Sequence, residues 1–218
     1  KKFIKINKNH VYTLNQFCVE NNTMLQLSIG QRNDITLEIL KNKYCTEDYL
    51  YHVNDNGLDA IKLIIQNNTD MFLHILTNID TLNCSVKNVL YGNLHRYLFY
   101  LLNNGKYFMT TKYINTFMTD KNRTQLKPHC KLTQIVDIND KYTGYSFLSY
   151  ILEMMNEKSQ YKKILNNIIQ ASWFNENIIK YIIDVYIKDK FYSSIIILNS
   201  VLPDKYKKSI GKIILLNS

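Results

Sequence analysis

The apolar positions of residues 21–76 occur twice in the same register, 36 residues apart and without a gap. Leu25, Ser28 and Ile29 follow i, i+3, i+4 in the first copy, as do Ile61, Ile64 and Ile65 in the second. That spacing puts three side chains on one face of a helix. Each copy opens on a turn former, Asn21 or Gly57, and reaches a polar break at Gln31-Arg32-Asn33 or Gln66-Asn67-Asn68, where the chain is expected to reverse. A second helix is expected after each break, burying Ile35, Leu37, Ile39 and Leu40 in one copy and Phe72, Leu73, Ile75 and Leu76 in the other. Helices this short are marginal alone in water. A pair of them with one apolar side must stack on the next pair.

The pattern continues less regularly. A shortened first helix is expected at Ser85–Tyr91, then a break at Gly92-Asn93 and a second helix from Arg96 to the leucine pair Leu101-Leu102. Tyr113–Met118 reads as a helix and Lys121–Lys131 as a loop. A fourth copy is expected from Gly144 to Ile151 with its second helix at Tyr161–Ile169, followed by helices at Asn175–Lys188 and Phe191–Leu198. Only two prolines and six glycines occur, too little punctuation for a protein of strands and tight hairpins. The fold class read from this is all-α: a solenoid of helical hairpins with degenerate repeats and a helical C-terminal cap. Residues 1–105 hold the clearer repeats, 106–200 the degenerate ones and 201–218 a terminal amphipathic helix.

Two hexads carry a resemblance. Thr23-Met24-Leu25-Gln26-Leu27-Ser28 and Asp59-Ala60-Ile61-Lys62-Leu63-Ile64 stand where the ankyrin repeat has T-P-L-H-x-A at the start of its first helix. The proline is missing from both, and Gln26 and Lys62 replace the histidine, so the chain resembles that family in spacing and apolar register. The resemblance implies stacked hairpins whose connecting loops and first helices form a concave protein-binding surface, and a protein that works by binding another protein and not by catalysis. The loop Lys41–Asn56 is about four residues longer than the family norm. Its Tyr44, Asp48, Tyr49, Tyr51, His52, Asn54 and Asp55 are the expected contact residues, because tyrosine offers large contact area at low entropic cost.

The end of the chain carries a second resemblance. Leu202-Pro203-Asp204 opens a stretch in which Tyr206, Ile210, Ile213 and Ile214 make an apolar stripe opposite Lys205, Lys208 and Lys212. Pro and Asp at its head favour a helix N-terminus. Gly211 weakens that helix by about 1 kcal/mol. Leu202, Pro203, Tyr206 and Ile210 fall as in the start of an F-box, and repeats followed by such a helix resemble the poxvirus-type ankyrin proteins with a C-terminal F-box-like helix. That likeness implies docking of the Skp-type adaptor of a cullin ubiquitin ligase through Leu202, Pro203, Tyr206, Ile210 and Ile213, with the repeats holding a host protein, as in a virulence factor. An ordinary capping helix with a polar outer face accounts for the same residues.

Composition narrows the remaining options. The chain is 46% hydrophobic and 21% charged, with a mean hydropathy of −0.23, a globular composition. No apolar run reaches the eighteen or so residues of a membrane span, and Lys1-Lys2-Phe3-Ile4-Lys5 does not read as a secretory signal. A cytoplasmic protein is expected, in the host cytoplasm for a viral or bacterial effector. Cys18, Cys45, Cys84 and Cys130 are widely and irregularly spaced and read as reduced thiols. Residues 110–218 carry 16 Lys or Arg against 9 Asp or Glu, whereas residues 1–109 carry 11 against 9. That asymmetry keeps a basic helical nucleic-acid-binding protein as an alternative, beside an ankyrin protein that only sequesters its target. No phosphate-binding glycine loop, zinc-protease or nucleophile-elbow motif occurs. His10, His52, His74, His95 and His129 do not show the tight spacing of metal ligands, so neither a cofactor, a metal nor a catalytic residue is expected.

Overall fold

The computed structural model describes residues 21–119, 135–136, 144–207 and 210–211. The described residues form helices, with no strand among them, as the periodicity predicts. They fall into two compact units, one ending at Asn93 and the other beginning at Leu94.

In the first unit, α1 (Met24–Ser28) and α2 (Asn33–Lys41) pack together, as do α4 (Ala60–Asn67) and α5 (Thr69–Thr77). The helix starts Met24 and Ala60, Asn33 and Thr69 are each 36 residues apart, as are the helix ends Lys41 and Thr77. The capping residues keep the same register. Thr23 accepts a hydrogen bond from the Gln26 amide, and Asp59 accepts one from the Lys62 amide, which satisfies a backbone donor that a helix start leaves open. Two residues before each cap the backbone is left-handed, at φ 58° for Asn21 and 75° for Gly57, a conformation that Gly and Asn tolerate best.

The buried positions also recur. Leu25 and Ile61 are fully buried, as are Leu40 in α2 and Phe72 and Ile75 in α5. Each such side chain contributes about 1.5–3 kcal/mol of apolar burial. The second helices bury a different stripe from the one read in the sequence: Ile35, Leu37 and Leu73 are half-buried, and Thr36 and Met71 take the interior. The reason is a polar pair. Thr36 Oγ1 lies 2.8 Å from Ser28 Oγ, at the positions occupied by Phe72 and Ile64 in the other copy. Two hydroxyls that satisfy each other are accepted inside a helix pair, and a reading of apolar letters alone passes over them.

Within this unit α1 packs on α4, and a helix not foreseen from the periodicity, α3 (Glu47–Tyr51), packs on α4 and on α6 (Cys84–Gly92). Asn68 Nδ2 donates to Asn33 Oδ1 at 2.7 Å, joining the heads of α2 and α5.

The second unit contains α7 (Leu94–Asn103), α8 (Tyr107–Thr119), α9 (Phe147–Met154), α10 (Ser159–Gln170), α11 (Glu176–Lys188) and α12 (Tyr192–Val201). The segment read as a fourth copy lies here. Gly144 is left-handed at φ 72°, Ser146 caps α9 by accepting from the Ser149 amide, and Leu148, Ile151 and Leu152 are buried. Helix α8 is longer than the expected Tyr113–Met118, and the loop expected at Lys121–Lys131 lies outside the described residues. Helix α9 packs against α7, α10 and α12, and α8 against α7 and α10. A run of edge-on and tilted rings, Phe147, Phe99, Tyr150, Tyr161 and Tyr107, at centroid distances of 5.6–6.0 Å, threads through α9, α7, α10 and α8. Such pairs add stabilisation beyond their buried area.

Candidate protein-binding surface

The Tyr-rich loop is a folded element. Thr46 caps α3, accepting from the Tyr49 amide at 3.3 Å, and Glu47 and Asp48 sit in its first turn, where carboxylates favour the positive end of the helix dipole. Leu50 is fully buried and Cys45 is 2% exposed. Burial pushes the Cys45 thiol up to about 12, so it is a core thiol with little thiolate at neutral pH.

Tyr49 and Asn54, expected in the contact surface, are buried. Tyr49 reaches 24 residues back, and its hydroxyl accepts from the Leu25 amide at 3.0 Å. Asn54 Oδ1 accepts from the Asn56 and Leu58 amides, and its Nδ2 donates to Asn22 Oδ1 at 2.9 Å. These groups hold the turn that ends at Gly57 and fasten it to the start of the preceding copy. His52 and Tyr51 are half-buried and also engaged: His52 Nε2 donates to the Asn21 carbonyl at 2.8 Å, and the Tyr51 hydroxyl accepts from Asn93 Nδ2. Tyr44 is half-buried, while Asp48, Val53, Asp55 and Asn56 are exposed. Lys43 Nζ stands 5.1 Å from the Tyr44 ring centre.

Gln26 is the residue that the sequence did not single out as a tie. It is 3% exposed. Its Oε1 accepts from the Thr23 amide at 2.8 Å, and its Nε2 donates to the His52 and Leu58 carbonyls, each at 3.0 Å. One amide therefore closes the cap of α1 and clamps both ends of the turn that leads into α4. Its position in the hexad, at the family's histidine, was the available signal; its partners lie 26 and 32 residues away and leave no trace in local spacing.

Three apolar residues of the terminal segment are packed inward. Residues 204–207 are helical. Leu202, Tyr206 and Ile210 are buried, and Pro203 is exposed. The Tyr206 hydroxyl donates to the Phe174 carbonyl at 3.2 Å, and the two rings meet edge-on at 6.2 Å. Asp204, Lys205 and Lys207 face solvent. Lys207 donates to Asp204 at 2.8 Å and holds that carboxyl below its usual range. Ile213, Ile214, Lys208 and Lys212 have side chains outside the described residues, as do Cys18, Cys130, His10 and His129.

His74 is exposed on α5, and Cys84 is exposed at the head of α6. Among the described residues no group of three His, Cys, Asp or Glu is placed to hold a metal ion, and no helix is long and apolar enough to cross a membrane. Against known protein families, curated proteins and solved structures, the chain has no match.

Proposed function

We propose that this chain is a protein-interaction scaffold of the ankyrin type, and that the partner is a protein held on the surface formed by the first helices and the turns between the copies in residues 21–93. One observation carries the reading. The left-handed residue, the N-cap, the buried face and the paired second helix all recur together at 36 residues, and the first helices α1 and α4 pack on each other. Helix pairs that bury their apolar sides only against neighbouring pairs leave their turns outward as an extended surface. On that surface Asp48 and Asp55 are exposed and Tyr44 is half-buried.

The terminal segment is assigned to capping. Leu202, Tyr206 and Ile210, three of the five residues read as adaptor-binding, are buried in intramolecular packing, and recruitment of a ligase through them requires that packing to open.

The test is affinity capture with the full chain and with the double variant Asp48→Lys/Asp55→Lys, followed by quantitative mass spectrometry. A protein retained by the wild type and lost from the variant is expected. Retention of the same proteins by both, or of nucleic acid with a steep salt dependence in place of protein, overturns the proposal.

A further inference from the structure

Helices α8 and α10 pack along each other in the second unit and leave between them an open groove of about 570 Å³. Each helix lines it with residues about one turn apart, and Tyr107, Thr111 and Thr116 of α8 line it as well. Phe108, Lys112 and Asn115 of α8 follow i, i+4, i+7, and Gln160, Lys163 and Asn167 of α10 follow i, i+3, i+7. Ile164, 1% exposed, lies between the rows as an apolar floor. Phe108 is 63% exposed at the edge, with Lys112 Nζ 5.7 Å from its ring centre. Trp173 Nε1 donates to Asn115 Oδ1 at 3.2 Å, which sets the orientation of that amide. Neither helix contains an acidic residue, and together they carry Lys112, Lys162 and Lys163.

We propose that this groove binds an acidic peptide segment of a partner protein. The volume is that of a site for a few side chains. The two lining lysines match carboxylates, and no Asp or Glu of α8 or α10 opposes them. Asn115, Gln160 and Asn167 carry amides, groups that both donate and accept, as a peptide backbone requires. The Ile164 floor and the Phe108 edge suit one or two apolar side chains among the acidic ones. A nucleic-acid strand asks for a longer cationic track and a series of stacking rings, whereas here one ring is strongly exposed and two cations line the walls. The groove belongs to a different unit from the repeat surface, and its occupant does not depend on the reading given to that surface.

The experiment is fluorescence anisotropy with the full chain and three labelled probes: a peptide of Glu, Asp and Leu, its Lys-for-acid counterpart, and a single-stranded oligonucleotide of the same charge as the acidic peptide. The variants are Lys112→Glu/Lys163→Glu in the groove and Lys180→Glu/Lys188→Glu on α11. All four lysines are exposed, and the two pairs change net charge equally. Circular dichroism confirms that both variants fold. The acidic peptide is expected to bind the wild type and the α11 variant alike and the groove variant about tenfold more weakly. Equal weakening in both variants reduces the effect to net charge and overturns the proposal. So does binding of the Lys peptide as tight as that of the acidic one. Tighter binding of the oligonucleotide, lost in the groove variant, makes the site a nucleic-acid site and overturns it as well. Self-association of the chain that the acidic peptide does not displace makes a second copy the occupant, which also overturns it.

Discussion

Gln26 illustrates how much of this fold hangs on single polar side chains. It is buried among three backbone groups, Thr23 N, His52 O and Leu58 O, and serves all of them. Leu58 O also accepts from the Asn54 amide, so truncation strips the Gln26 partner from Thr23 N and His52 O, and leaving such groups buried without partners costs about 1–3 kcal/mol. Gln26→Ala is therefore expected to destabilise the chain by about 2 kcal/mol, read as a lower urea midpoint at unchanged slope. A loss of less than about 0.5 kcal/mol, the usual range for surface substitutions, shows that Gln26 is not a clamp. Tyr49 has the same character: its ring is interior and its hydroxyl takes the Leu25 amide. Both residues were visible in the sequence as polar letters near a turn. Their roles were not, because each depends on a partner more than twenty residues away.

At the scale of elements, the helix caps carry a start signal that apolar spacing passes over. Thr23, Asp59 and Ser146 each precede an apolar face and each accept a backbone hydrogen bond three residues on. Cap chemistry is local, so these residues were an available signal that the reading of turn formers and apolar spacing did not use. Thr23→Ala and Ser146→Ala are each expected to cost about 1 kcal/mol, and Thr23→Ser much less, since the hydroxyl acceptor is retained; chemical denaturation of the three variants checks this. An equal loss from Thr23→Ser and Thr23→Ala assigns the effect to the lost methyl group and not to the cap. Helix α3 escaped notice for a related reason. Five residues give too little periodicity to detect, although Thr46 followed by Glu47 and Asp48 was a usable start signal. The stripe of α2 was misread because Thr36 is interior, with its hydroxyl paired to Ser28 and to the Arg32 carbonyl.

At the scale of the whole molecule, the role of the terminal segment turns on where Leu202, Tyr206 and Ile210 go, and they are buried. Removing residues 202–218 takes away that apolar burial, about 1.5–3 kcal/mol for a fully buried side chain, and uncovers its contacts around Phe174. The truncated chain is expected to melt several degrees lower, measured by circular dichroism or calorimetry. An unchanged melting temperature, together with adaptor binding that is lost on truncation, favours the ligase-docking role over the cap. The screened surface ion pairs Arg32–Asp34 and Lys207–Asp204 are exposed and add little, so stability at this scale comes from the packed apolar faces.

Periodicity established the all-helical class, the 36-residue register and the position of most helices, because hydrophobic spacing is a property of a few neighbouring residues. Packing decided the rest. It placed Tyr49 and Asn54 inside, made Gln26 a clamp, turned Leu202, Tyr206 and Ile210 inward and opened a groove between α8 and α10. Each of those outcomes depends on side chains far apart in sequence competing for one interior, and that competition is settled only when the helices meet.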